Sequence, residues 1–176
     1  MPTRLSHRSG FTLVELMVVV VIMGVVAVSV IPAMNNVEEM RAGAARDDLV
    51  RLIEVAKGLA VASGTPYGVR IDLLGSKIEL VEIDAQGNIQ TKFDPLTNGT
   101  RSLDIEAVYA GVTLTNMING DGGGGSGVVW FDYESSPHTR TSQGEFEAIN
   151  TQAATITLSS GERVLIHPHS GLLEVE

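Results

Sequence analysis

The chain has 176 residues, a formal net charge of −9 and no cysteine, which excludes disulfides, thiolate metal sites and thiol nucleophiles. Its first ten residues hold two arginines and no acid, so the rest stands at −11, that is −9 less those two charges. Such a surface repels nucleic acid and anionic lipid heads unless a basic patch gathers somewhere, and the sequence offers none.

The first predicted element is an apolar helix. Residues 16–31 are interrupted only by Gly24, Ala27 and Ser29, a run worth roughly −4 to −6 kcal/mol on a membrane-insertion scale. It falls a little short of the ~20 residues a span prefers. Extending it to 11–34 reaches that length by including Glu15, a carboxylate that costs roughly 2.5–3.5 kcal/mol at mid-bilayer and less near a helix end. Arg4 and Arg8 precede the run, while Glu38 and Glu39 follow it. The positive-inside bias therefore leaves the N-terminus in the cytoplasm and sends the remainder outward. A plain signal anchor fits this pattern. A cleaved secretory signal with a small-x-small site at Ala27-Val28-Ser29 fits less well, since Glu15 would sit inside its apolar region and Pro32 and Met34 follow closely.

The stretch "GFTLVE", Gly10 to Glu15, resembles the prepilin cleavage and methylation signature of type IV pilins and type II secretion pseudopilins. The match continues through Thr12, Leu13, the valine-rich run and Pro32. The resemblance implies that a prepilin peptidase cuts between Gly10 and Phe11, that the apolar helix is retained, and that Phe11 is then N-methylated. It also gives Glu15 an assembly role, because cleavage creates an α-amine on Phe11 in the same zone. An unpaired carboxylate in an apolar medium is unfavourable, and a neighbouring subunit's terminal amine would neutralise it. The implied partners are the peptidase/methylase, the inner membrane and other pilin-like subunits, with secreted cargo as a further partner of the outer domain.

Helical character continues past the apolar run. Ala45, Leu49, Leu52, Ile53, Ala56, Leu59 and Ala60 follow i, i+3, i+4 spacing and form one stripe. Glu38 with Arg41, Asp47 with Arg51, and Glu54 with Lys57 are spaced to pair along the surface; Arg41, Arg46, Asp47 and Asp48 read as solvated. Gly64 with Thr65-Pro66 is a stop signal. One helix over residues 11–63 would be roughly 80 Å long, bent or loosened at Pro32 and Gly43.

After Pro66 the pattern changes to period two. "YGVRIDLL", "SKIELVEI", "IQTKF", "VTLTNM", "GVVWFDY", "EFEAI", "ATITLS" and "RVLIH" read as strands, with "GLLEVE" as an added edge. The expected fold is α+β: a long pilin-like N-terminal helix, transmembrane in its first half, packed on an antiparallel sheet of about seven to eight short strands. Residues 48–72 and the closing "ATITLSSGERVLIHPHSGLLEVE" resemble the GspH/FimT class of minor pseudopilins. The resulting division is leader 1–10, assembly helix 11–34, amphipathic helix 35–63 and periplasmic β-rich domain 64–176.

Other conspicuous stretches carry less. "NGDGGGGSG", with the glycines of 120–127, lacks the lysine and following helix of a phosphate loop and reads as a flexible connection between strands. His167 and His169 are two ligands where a structural zinc needs four, and Pro168 suggests a turn. No nucleophile–base set or metal motif is present, so the expectation is a non-enzyme without cofactor or metal. The leading reading is a minor pseudopilin of a type II secretion-type machine. The alternatives are a type IV minor pilin serving pilus assembly or DNA uptake, and a membrane-anchored binding domain that never polymerises. DNA uptake is disfavoured because residues 148–176 hold one base, Arg163, against Glu162, Glu174 and Glu176, too few cations for phosphate contacts.

Overall fold

The computed structural model describes residues 11–94 and 99–176, with the side chains of 28–36 outside the description. The chain falls into two compact units, Met1–Val37 and Glu38–Glu176. Helix α1 covers Leu13–Ser63, and its helical backbone continues through Pro32 and Gly43. It ends at the predicted stop: Gly64 takes a left-handed φ of 68° and its N–H still reaches the Ala60 carbonyl at 3.0 Å, the geometry that glycine supplies at a helix C-terminus.

The expected membrane span over 11–34 is not seen as such. Among the described residues no helix is long and apolar enough to cross a membrane, and the described side chains of this run stop at Ala27.

In the second unit the predicted stripe is buried. Ala45, Leu49, Ile53, Ala56 and Ala60, joined by Ala42, belong to the core, with Leu52 and Leu59 packed against it. Its polar flank differs in detail from the expected pairing. Lys57 does meet Glu54, at 2.9 Å, but Arg51 turns to Asp48 at 2.9 Å and Asp47 pairs with Arg46 at 2.8 Å. Arg41 donates to the Ala110 carbonyl at 3.3 Å. Asp48 is not simply solvated, because the Tyr109 hydroxyl donates to it.

The β region is larger than the seven to eight strands expected. Thirteen strands are described: β1 (Tyr67–Asp72), β2 (Lys77–Ile83), β3 (Ile89–Thr91), β4 (Phe93–Asp94), β5 (Gly99–Thr100), β6 (Ser102–Asp104), β7 (Leu114–Ile118), β8 (Gly127–Phe131), β9 (Pro137–Arg140), β10 (Phe146–Ile149), β11 (Ala154–Leu158), β12 (Arg163–Ile166) and β13 (Leu173–Val175). A one-turn helix α2 (Ile105–Val108) follows β6, capped by the Asp104 carboxylate on the Ala107 N–H at 2.9 Å. The strands form separate sheets rather than one: a seven-stranded sheet in the order β10-β9-β8-β1-β2-β3 with β6 also on β2, a four-stranded sheet β13-β12-β11-β7, and the pair β4-β5. All pairings are antiparallel. The α1 stripe, Val69, Ile71, Ile78 and Leu80 of the larger sheet, and Met117, Ile156, Val164 and Ile166 of the smaller one share a single core.

The glycine-rich stretch is a structured crossing, not a free linker. It carries the chain from β7 in the smaller sheet to β8 in the larger, and the later return, from β10 to β11, lies beside it. The amides of Thr151 and Gln152 both donate to the Gly120 carbonyl at 3.1 Å. A Cβ on Gly120 would fall 2.1 Å from the Asn150 side chain, so the two crossings approach closely only because that side chain is absent.

Candidate processing and assembly site

The start of α1 is set by local chemistry. A helix leaves its first N–H groups without intrahelical partners. Thr12, the residue before the helix, has its carbonyl bonded to the Leu16 N–H at 3.2 Å. Its Oγ1 accepts from the Glu15 N–H at 3.2 Å, while Glu15 Oε2 accepts from the Thr12 N–H at 2.9 Å and the Thr12 hydroxyl at 3.1 Å. Two orphan donors are thus satisfied reciprocally, in the T-x-x-E capping box. Glu15 is therefore not the unpartnered acid that the sequence suggested.

These bonds use Oε2 only. Among the described residues, Oε1 of Glu15 takes no bond and remains open to an outside donor. Phe11 precedes the box and is 83% exposed. Gly10 lies outside the described residues, as does the side chain of Pro32. Every atom of the capping box belongs to Thr12 or Glu15, so cleavage of the Gly10–Phe11 bond would leave the helix start intact. Past the cap, Leu13, Leu16, Val18 and Ile22 all face outward. A helix apolar on every side has no face to turn to a core within its own chain.

Residues 5–31 match the family model for the prokaryotic N-terminal methylation motif. In structure, the chain is similar to the minor pseudopilin EpsH from the type II secretion system of Vibrio cholerae. One EpsH structure superposes with a TM-score of 0.54 at 15% identity, over 77% of this chain and 96% of that one. A second gives 0.53 at 15% identity, over 80% and 97%. The chain thus combines a prokaryotic N-terminal methylation motif with a fold similar to that of EpsH. No curated protein sequence matches it significantly. The motif implies processing by a prepilin peptidase and assembly with other pilin-like subunits.

The two histidines singled out in the sequence are not brought together on one ligand. His167 Nε2 lies 2.7 Å from Glu174 Oε2 across β12 and β13. His169 sits in the turn between them with φ of 63°, and its carbonyl accepts from the Ser136 hydroxyl at 2.7 Å.

The sequence reading missed a constellation on β8–β10. Trp130, the chain's sole tryptophan, is buried opposite Gly68, on the sheet face away from Val69 and Ile71; a Cβ on Gly68 would lie 2.9 Å from its ring. Arg140 stacks over that ring at 5.8 Å, donates through Nε to His138 Nε2 at 2.8 Å and through Nη1 to the Gly144 carbonyl at 2.6 Å. Because Nε2 accepts, the buried His138 is neutral with its proton on Nδ1, directed at the Ser136 carbonyl 3.4 Å away. "PHTR" escaped notice because it begins with proline and carries no apolar alternation. The signal it did offer was a histidine and an arginine two apart, on one face of an extended segment.

Proposed function

We propose that the chain is a minor pseudopilin, a structural subunit of a type II secretion-type pseudopilus. Its leader, 1–10, is removed between Gly10 and Phe11, and Phe11 is N-methylated. Residues 11–34 then hold the subunit in the inner membrane, with a single pass and a cytoplasmic N-terminus. They pack against other subunits in the filament, while 35–63 carry the periplasmic domain 64–176. The observation that carries this reading is the capping box set directly behind the cleavage motif and directly ahead of an outward-facing apolar helix. It keeps Glu15 oriented at the helix start with one carboxylate oxygen open, placed to receive a neighbouring subunit's Phe11 amine.

The mass of the N-terminus, measured after co-expression with and without a prepilin peptidase, tests processing. Loss of ten residues and gain of one methyl group is expected only with the peptidase; an unchanged mass ends the pilin reading. Glu15→Val should be processed normally yet fail to crosslink into filaments. Wild-type incorporation of that variant would remove the assembly role from Glu15.

A further inference from the structure

The outer domain is rich in acids, and its cations are mostly answered by them, from Lys92 on Glu82 at 2.6 Å to Arg70 on Glu79 at 3.1 Å and Arg101 on Asp94 at 3.1 Å. Arg140 is different. Half-buried, it forms no ion pair with any carboxylate among the described residues. Its guanidinium is fixed by a neutral histidine, a backbone carbonyl and the Trp130 ring, all of which orient it without neutralising it. A cation shielded from water and left without a counter-charge is unfavourable by itself.

A cleft of about 250 Å3 opens beside it, just past the C-terminal end of α1, lined by Arg140, His138, Pro66, Asp132, Tyr133 and Phe146. Tyr133 and Phe146 are 62% and 58% exposed, an unusual presentation for two aromatic rings flanking one arginine. We propose that this cleft recognises a carboxylate on an acidic, partly apolar peptide segment of a partner protein. Nη2 of Arg140 takes no bond among the described residues and can donate to a carboxylate in the guanidinium plane, and the two rings supply apolar contact around it.

The volume admits one side chain or one chain terminus rather than a larger small molecule. Asp132 also lines the cleft. Its Oδ1 is occupied by the amides of Glu134 at 2.9 Å and Ser136 at 2.8 Å, but its charge opposes a polyanion. A nucleic-acid backbone, with its many charges, is therefore a poorer occupant than a single carboxylate. This inference rests on the outer domain alone and stands independently of the filament reading.

Trp130 lies directly beneath Arg140, so its fluorescence reports on the cleft in the full-length chain in detergent. Three peptides are titrated: Ac-Ala-Leu-Glu-Leu-Ala-NH2, its Gln isostere, and the Gln peptide with a free C-terminal carboxylate. The expected result is a saturable change with the Glu peptide, at least tenfold weaker with the blocked Gln peptide and lost in Arg140→Lys, which keeps the charge but not the fork. Binding of the Gln peptide through its free terminus would support a chain-terminal carboxylate as the source; a response to the Glu peptide alone supports a side chain. Where Arg140→Lys disturbs the unliganded spectrum, Tyr133→Ala decides, and a severalfold weakening is expected. Equal binding of the Glu and blocked Gln peptides, unchanged binding in both variants, no saturable change with either carboxylate peptide, or displacement of the peptide by a DNA oligonucleotide at lower concentration would overturn the proposal.

Discussion

The two halves of α1 share one backbone geometry and differ in almost everything else. Val21 and Met23 of the first half are 64% and 66% exposed, whereas Leu49, Ile53, Ala56 and Ala60 of the second are fully buried. The first half is apolar on all sides; the second confines its apolar residues to a stripe and surrounds them with Asp48, Arg51, Glu54 and Lys57. A stripe selects one inward face and a core to match it, while an all-round apolar surface can be covered only by something outside the chain. Hydrophobicity alone thus does not locate the core of this molecule; its periodicity does.

The largest test of that contrast places a truncation in each half. Leu49→Ala should lower unfolding free energy by about 2–5 kcal/mol, from lost burial plus the cavity left behind. Val20→Ala, which removes apolar atoms from an exposed position, should stay within about 0.5 kcal/mol. Urea titration of the full-length chain in detergent, followed by Trp130 fluorescence, measures both. A comparable loss from Val20→Ala would mean that the first half contributes to the same cooperative unit, and the contrast would fail.

The legibility of the sequence follows the same line. The stripe and the helix stop at Gly64 were readable because each rests on local periodicity or turn chemistry. The separation into a seven- and a four-stranded sheet was not, because Leu114–Ile118 and Gly127–Phe131 look alike as strands and only tertiary pairing sends them to different sheets. The glycine-rich stretch was misjudged for a related reason: composition shows freedom, and only contact with Asn150, Thr151 and Gln152 shows how that freedom is used. At the N-terminus the T-x-x-E signature was present in plain view. Resemblance drew attention to the partner in another subunit and away from the one three residues back.

A second, smaller test asks whether outer-domain stability titrates independently of the helix start. Burial is the main influence holding the His138 imidazole below its ordinary 6.5. The Arg140 cation lowers it further, against opposing contributions from the Ser136 carbonyl and Asp132. The unfolded chain therefore binds the proton more readily than the folded one. The stability contributed by the neutral ring is complete above pH 6.5 and is lost as pH falls from there through the folded-state value, with a slope of at most about 1.4 kcal/mol per pH unit. His138→Gln should flatten this limb in pH-dependent urea unfolding. An unchanged limb would show that His138 protonates as easily folded as unfolded.

The smallest effect is the most discriminating for the first half, because there the same two residues serve the helix and, as proposed, the filament. Thr12→Val removes the cap oxygen and keeps the charge of Glu15; it should fray the first turn by about 0.5–2 kcal/mol, visible as faster amide exchange at Glu15 and Leu16, whose N–H groups bond Thr12. Glu15→Gln keeps an oxygen able to accept from the Thr12 N–H and removes the charge, so exchange in that turn should change little while filament incorporation drops. If both variants fray the helix and both fail to assemble, the carboxylate acts through the capping box, and pairing with a neighbouring amine is unnecessary. If exchange and assembly separate between them, the helix start depends on the hydrogen-bonding shape of Glu15 and the filament on its charge.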